Sequence, residues 1–350
     1  MNKSFYITSQ KNQSMLNFIS DTVTKPNEEM LKVMLSAEVG DDVFAADPTV
    51  NALQEKIATM FDMEAALFCP SGTMTNQIAI NVHTQPGDEV ICSYQSHIYN
   101  YEGGGIARNS GAQVRLVGND DGFLTSHDVM NNINPSDSHY TNTTLVSIEN
   151  TTNRGGGKCY DMQTVKNIAD ACRENGLKYH LDGARLFNAI VAKNENPKEY
   201  GSLFDSISIC LSKGLGAPAG SLLLGSKAFI QNAHRVRKVM GGGMRQVGYL
   251  AAAGIYALDH NVERLADDHL RAKHISNSIQ GAPFVLGTEL PETNILMVDL
   301  DISADAYLKK LSANNMHAIG FGPNRIRITT HLDVSENDIE KAIGIMKNLS

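Results

Sequence analysis

LKYHLD (177–182) and SISICLSKGLGAPAGSLLLGS (206–226) decide how this chain folds. Each holds short apolar runs bounded by glycine, proline or charge, which predicts buried strands at 177–182, 206–212 and 221–226. A helical pattern from about Met162 to Asn175 precedes the first run and stops at Gly176, a good C-terminal signal. Outward from this centre the alternation continues. AALFCP (65–70) reads as a strand, and Ser71-Gly72-Thr73 then opens a helix through about His83. DEVICS (88–93) and TTLVSIE (143–149) read as further strands. Strands alternating with helices predict an α/β fold, with a mainly parallel sheet sandwiched by helices.

From Met244 to about Ile279 the pattern is one nearly unbroken helix. Beyond it come ILMVDL (295–300), a helix near 303–314, RIRITT (325–330) and a last helix from Ser335. This β-α-β-α tail has apolar positions of its own and reads as a smaller C-terminal α/β domain. Three units are expected: a polar N-terminal extension over 1–15, a large domain over 16–255 and a small domain over 256–350.

The bulk numbers exclude several classes. With 42% hydrophobic and 19% charged residues, the 350-residue chain is not disordered. A net charge of −8 argues against a nucleic-acid partner, which calls for a basic face. The five cysteines stand apart without a CxxC pair, which fits reduced thiols in the cytoplasm. No HExxH or zinc-spaced Cys/His cluster occurs, so no metal is expected. No apolar stretch approaches 18 residues and the N-terminus lacks a signal-peptide core, so no membrane span is expected.

In open α/β sheets functional groups gather at the carboxyl ends of the strands. The residues that follow the strands here are Ser71-Gly72-Thr73, Ser96-His97, Asp182-Gly-Ala-Arg185 and Ser212-Lys213. Lys213, followed by small residues, sits where desolvation would lower an ammonium pKa, as an imine-forming lysine needs. Alone it would read as a surface lysine. Asp182 ends the strand 31 residues earlier and could face the same crevice. A carboxylate there would keep a pyridine nitrogen protonated, although helix capping is an equally good use for it. The turn at Ser71 to Thr73 offers N–H groups and hydroxyls to a phosphate, and the imidazole of His97 could stack on a flat ring. Together they point to pyridoxal 5′-phosphate held as a Schiff base by Lys213. A nucleotide-dependent oxidoreductase is disfavoured, because no GxGxxG follows a first strand; EGGGIAR (102–108) is the nearest stretch.

From about Phe18 onward the chain resembles the threonine aldolases, pyridoxal-phosphate enzymes of the aspartate-aminotransferase fold type. The likeness rests on SDTVTKP (20–26), EVGDDVF (38–44), PSGTMTNQ (70–77), SHIYNYE (96–102) and ENTTNRGGG (149–157), continuing through HLDGAR (180–185), SKGLGAP (212–218), GGGMRQ (241–246) and RITTHLDVS (327–335). It implies catalytic roles for Lys213, His97 and Asp182. Ser71, Gly72, Thr73 and Arg185 would join them in binding the cofactor, with Arg245 reaching in from a neighbouring subunit of a dimer or tetramer. Ser20, Arg185 and Arg327 would grip the substrate carboxylate, with Tyr101 and Glu102 in the substrate-facing loop. The implied reaction is retro-aldol cleavage of L-threonine or L-allo-threonine to glycine and acetaldehyde. A bulkier substrate such as phenylserine, or β-elimination, is the alternative on the same scaffold. Two positions depart from the family pattern: Thr152 stands where many members carry histidine, and Phe44 where tyrosine is usual. The first leaves the base and the preferred diastereomer open.

Overall fold

The computed structural model describes residues 15–350, so all of the expected polar extension except Met15 lies outside the described residues. The strands are β1 (Leu16–Asn17), β2 (Ala65–Cys69), β3 (Glu89–Ser93), β4 (Gln113–Val117), β5 (Thr143–Glu149), β6 (Lys178–Gly183), β7 (Ser206–Cys210) and β8 (Ser221–Gly225), followed by β9 (Val285–Thr288), β10 (Ile295–Leu300), β11 (Met316–His317), β12 (Ile319–Gly320) and β13 (Arg325–Thr329). Seven of them form one sheet in the order β2-β8-β7-β6-β5-β3-β4. The pairs among β3 to β7 are parallel, and β8 alone runs antiparallel to both of its neighbours.

The near-continuous apolar strands follow from covering both faces with helices. In β8, Leu222 and Leu224 join the main core, whereas Leu223 between them packs with Leu67, Ile78 and Phe229 on the opposite face. A second, antiparallel sheet has the order β12-β13-β10-β9. Its buried side chains form a separate cluster running from Ile275 to Leu349, which also takes in Leu16 and Phe18.

The expected long helix is in fact two, Gly248–His260 and Leu265–Ser278. The interruption has a physical use. Asn261 donates its Nδ2 to the carbonyl of Leu215 at 2.7 Å, and Arg264 donates to the carbonyl of Gly214 at 3.3 Å. Both therefore hold the loop after Lys213. From the other side, Thr24 donates its hydroxyl to the Lys213 carbonyl at 2.9 Å. In the C-terminal tail β10 pairs antiparallel with both β9 and β13.

Asp47 ties two helix starts together. Its Oδ1 accepts from Thr49 and Val50 N–H at the start of helix Pro48–Phe61. Its Oδ2 accepts from Gly40 N–H and from Gly248 N–H, where the helix Gly248–His260 begins. Asp47→Ala would leave four donors without this acceptor, the N–H groups of Val50 and Gly248 among them buried, so chemical denaturation should show a loss of about 3 kcal/mol.

Candidate active site

The carboxyl edge of the parallel strands is determined by register. Glu149 at the end of β5 lies beside Asp182 on β6, and Asp182 lies beside Ser208 on β7. Lys213 follows β7 by one short turn, and its Nζ stands 3.6 Å from the Cys210 sulfur. The helix Gly72–His83 starts at the same edge, capped by the Ser71 hydroxyl, which accepts from Met74 N–H. That cap leaves the N–H groups of Gly72 and Thr73 without an intrahelical acceptor. A Cβ on Gly72 would lie 2.5 Å from the Cys210 sulfur, so only glycine lets the helix start approach β7 this closely. In the same corner the buried Ser221 hydroxyl has no partner among the described residues. These groups fit a phosphate-bearing pyridine. The helix start and Ser221 offer donors, Lys213 offers an amine, and Asp182, 2% exposed, offers a carboxylate.

Asp182 and Glu102 both accept from the Asn76 amide, at 2.9 Å each. Glu102 also accepts from Gln77 at 2.6 Å and meets Nδ1 of His97 at 3.2 Å. The His97, Glu102 and Asp182 ligand atoms therefore lie within 4.8 Å of one another. Burial would lower the pKa of His97. The hydrogen bond to Glu102 and the nearby charges of Asp182 and Glu149 outweigh it and raise the value. Glu149 accepts from the backbone N–H of His97 and of Asn153. Burial and the charge of Asp182 push its carboxyl up to about 7.

Arg327, His97, Tyr101, Asn153, Arg154 and Phe321 line one cavity of about 440 Å³. Arg327 donates to Asn153 Oδ1 at 2.7 Å and to the Ile19 carbonyl at 3.2 Å, while its Nε is buried without a partner among the described residues. Arg185 is turned elsewhere. Its Nε and Nη2 engage both carboxylate oxygens of Asp21 at 2.7 Å, leaving Nη1 3.4 Å from Asn153 Oδ1. Ser20 caps the turn that carries Asp21, its hydroxyl accepting from Thr22 N–H. Arg154 donates to Gln95 and to the Tyr101 hydroxyl. Arg245 pairs with Asp41 at 2.8 Å, beside the exposed ring of Phe44. Thr152 is buried against Gly122 and Gly155, and its N–H donates to the Lys158 carbonyl.

Sequence reading passed over Asp21, Asn76, Glu149 and Asn153, although all four lie inside the motifs that carry the family resemblance. Glu149 could have been found, since it ends a strand as Asp182 does. Phe321 carried no signal, because only tertiary packing brings the loop after β12 to this edge.

Asp21 is buried, which by itself raises its pKa, but Arg185 overcomes this and holds the carboxyl well below its ordinary value of 3.8. The stability contributed by the pair is therefore complete above that value and is lost as pH falls toward the depressed one. Asp21→Asn should cost about 3–5 kcal/mol at neutral pH, because it strands the Arg185 charge in the interior. It should also flatten the acid limb of a urea-midpoint-versus-pH curve. Superimposable acid limbs would show that the pair is not responsible.

The family model described as beta-eliminating lyase matches residues 17–303. A low specificity L-threonine aldolase of Escherichia coli O157:H7 is 43% identical over 329 residues, covering 93% of this chain and 96% of its own. A probable low-specificity L-threonine aldolase of Arabidopsis thaliana is 40% identical over 339 residues, covering 94% and 96%. Among solved structures, a threonine aldolase of Leishmania major superimposes with a TM-score of 0.83 at 22% identity, covering 95% of this chain and 98% of its own, a likeness of fold. The chain belongs to the beta-eliminating lyase family and, within it, to the low-specificity L-threonine aldolases.

Proposed function

We propose that the protein cleaves L-threonine and L-allo-threonine between Cα and Cβ, giving glycine and acetaldehyde, with pyridoxal 5′-phosphate as cofactor. One observation carries the reading: a cavity is lined by a guanidinium with a free Nε and by a carboxylate-backed imidazole whose ring nitrogen lies within 4.8 Å of the Asp182 carboxylate. When bound, the cofactor supplies the electron sink for the pair left on Cα.

The chain's own residues do the rest. Lys213 holds the cofactor covalently, Asp182 keeps the proton on its ring nitrogen, and the N–H groups of Gly72 and Thr73, with Ser71, take the phosphate. Arg327 binds the substrate carboxylate through its fork and so turns the Cα–Cβ bond into the orientation cleavage needs. Arg185 acts through Asp21 and Asn153, fixing the Ser20 turn and the guanidinium of Arg327. His97 removes the β-hydroxyl proton, with Glu102 positioning its ring from behind. Tyr101 and Phe321 receive the β-substituent. Their rings favour an aryl substituent as well, so phenylserine is a second substrate. Arg245 completes the site of a second copy in a homo-oligomer, a reading supported by the exposed Phe44 ring beneath its guanidinium and by exposed Val239 just before it in sequence. Five free, buried thiols support a reducing compartment such as the cytoplasm.

Incubation with L-threonine, L-allo-threonine, phenylserine and serine should give glycine and aldehyde from the first three and no pyruvate from serine. Pyruvate without glycine would replace this reading with β-elimination. Arg327→Ala should raise KM roughly 10- to 100-fold, which corresponds to about 1.5–3 kcal/mol for a lost charge-assisted contact. His97 must be neutral to accept a proton, so kcat/KM should fall as pH drops through a value above 6.5. Glu102→Gln removes a charge that favours the imidazolium and should move this limb to lower pH.

A further inference from the structure

A row of hydrogen bonds leaves Asp182 and runs through the interior to the far end of the helix Gly72–His83. The Asn76 amide nitrogen donates to Asp182 and to Glu102. Asn76 Oδ1 stands 3.1 Å from Nε2 of His180, and Nδ1 of the same ring stands 2.8 Å from the Ser206 hydroxyl. That hydroxyl is in turn 2.9 Å from Nε2 of His83. Asn76, His180 and Ser206 are buried. His83 lines a second cavity with Lys178, Asp205 and Phe229 and stacks on the Phe229 ring.

The chemistry of the groups fixes every proton in this row. Carboxylates accept only, so both amide hydrogens of Asn76 face Asp182 and Glu102, and Oδ1 must accept. His180 must then carry its proton on Nε2, leaving Nδ1 bare. Ser206 has one hydrogen and gives it to that nitrogen, so its oxygen can only accept from His83, which also carries its proton on Nε2. The order is His83 to Ser206 to His180 to Asn76 to the two carboxylates, with each group donating in one direction. Burial lowers the pKa of His180 to about 3 and that of His83 to about 4, which keeps both rings neutral and the direction intact.

We propose that this one-way donor chain holds the Asp182 carboxylate in a single orientation, and that His180 is the positioning residue on which it turns. Breaking the chain at His180 frees the Asn76 amide to rotate and present its oxygen to the carboxylates, which disfavours their charge. The inference rests on the assignment of Asp182 to the cofactor's ring nitrogen.

Two measurements test it. In the cofactor-free protein, histidine ring nitrogen-15 spectra should show His180 and His83 as Nε2–H tautomers across the neutral pH range. Ser206→Ala should release His83 into a mixture of tautomers, while His180, still donating to Asn76 Oδ1, keeps its proton on Nε2. An Nδ1–H form of His180 in the unsubstituted protein would overturn the chain. In the loaded enzyme, labelled pyridoxal phosphate should report a protonated ring nitrogen, weakened in His180→Leu and retained in His180→Gln, whose amide can still donate to Asn76. The kcat for threonine cleavage by His180→Leu should fall about 10- to 100-fold, the effect outer hydrogen-bond partners have at metal sites, with KM changed far less. If His180→Leu fails to fold, His180→Phe carries the same comparison of ring protonation. A protonated ring nitrogen lost in Asp182→Asn but unchanged in His180→Leu or His180→Phe would overturn the inference and leave the proposed function standing. No change even in Asp182→Asn would overturn the assignment of Asp182 itself.

Discussion

Four carboxylates, Asp21, Glu102, Glu149 and Asp182, are taken out of water at one edge of the sheet, and the need to satisfy each of them organises the site. A buried carboxylate is tolerated only when donors or a cation surround it. Asp21 is answered by both arms of the Arg185 fork, Glu149 by two backbone N–H groups, and Glu102 by Asn76, Gln77 and His97. Asp182 is answered by Asn76 and by Ala184 N–H. The answering groups come from the helix Gly72–His83, the loop at His97, the loop after β5 and the turn after β6. Satisfying the charges therefore locks four separated segments around Lys213.

The same constraint divides labour between two arginines at this edge, Arg185 and Arg327. Both are buried and both reach Asn153, but among the described residues only Arg185 has a carboxylate of its own. Arg327 has none. Burial and the neighbouring charge of Arg185 lower its pKa to about 10, the mark of a cation short of a counter-charge. A substrate carboxylate would supply it. Thr152 takes no part in this arrangement, being packed against two glycines, which leaves His97 as the imidazole at the cavity.

Much of this was legible in the sequence because strands that are buried on both faces read as unbroken apolar runs. β5 matches TTLVSIE residue for residue, and the residues after β6 and β7 are the ones the carboxyl-end rule selects. β4, whose QVRLV is only half buried, gave no comparable run. The interruption at 261–264 was hidden, since an asparagine amid helical residues shows its purpose only when Leu215 is seen beside it. Arg185 was legible as the guanidinium of HLDGAR, one of the runs that carry the resemblance, but not as the partner of Asp21, 164 residues away. Periodicity reports which face a residue takes and carries no information about which distant charge it meets.

The role of Lys213 can be tested directly. Protein supplied with pyridoxal phosphate, reduced with borohydride and digested should yield one peptide carrying the cofactor's mass, with the label on Lys213. A labelled peptide centred on any other lysine, or no label in a protein that nonetheless cleaves threonine, would contradict the site described above.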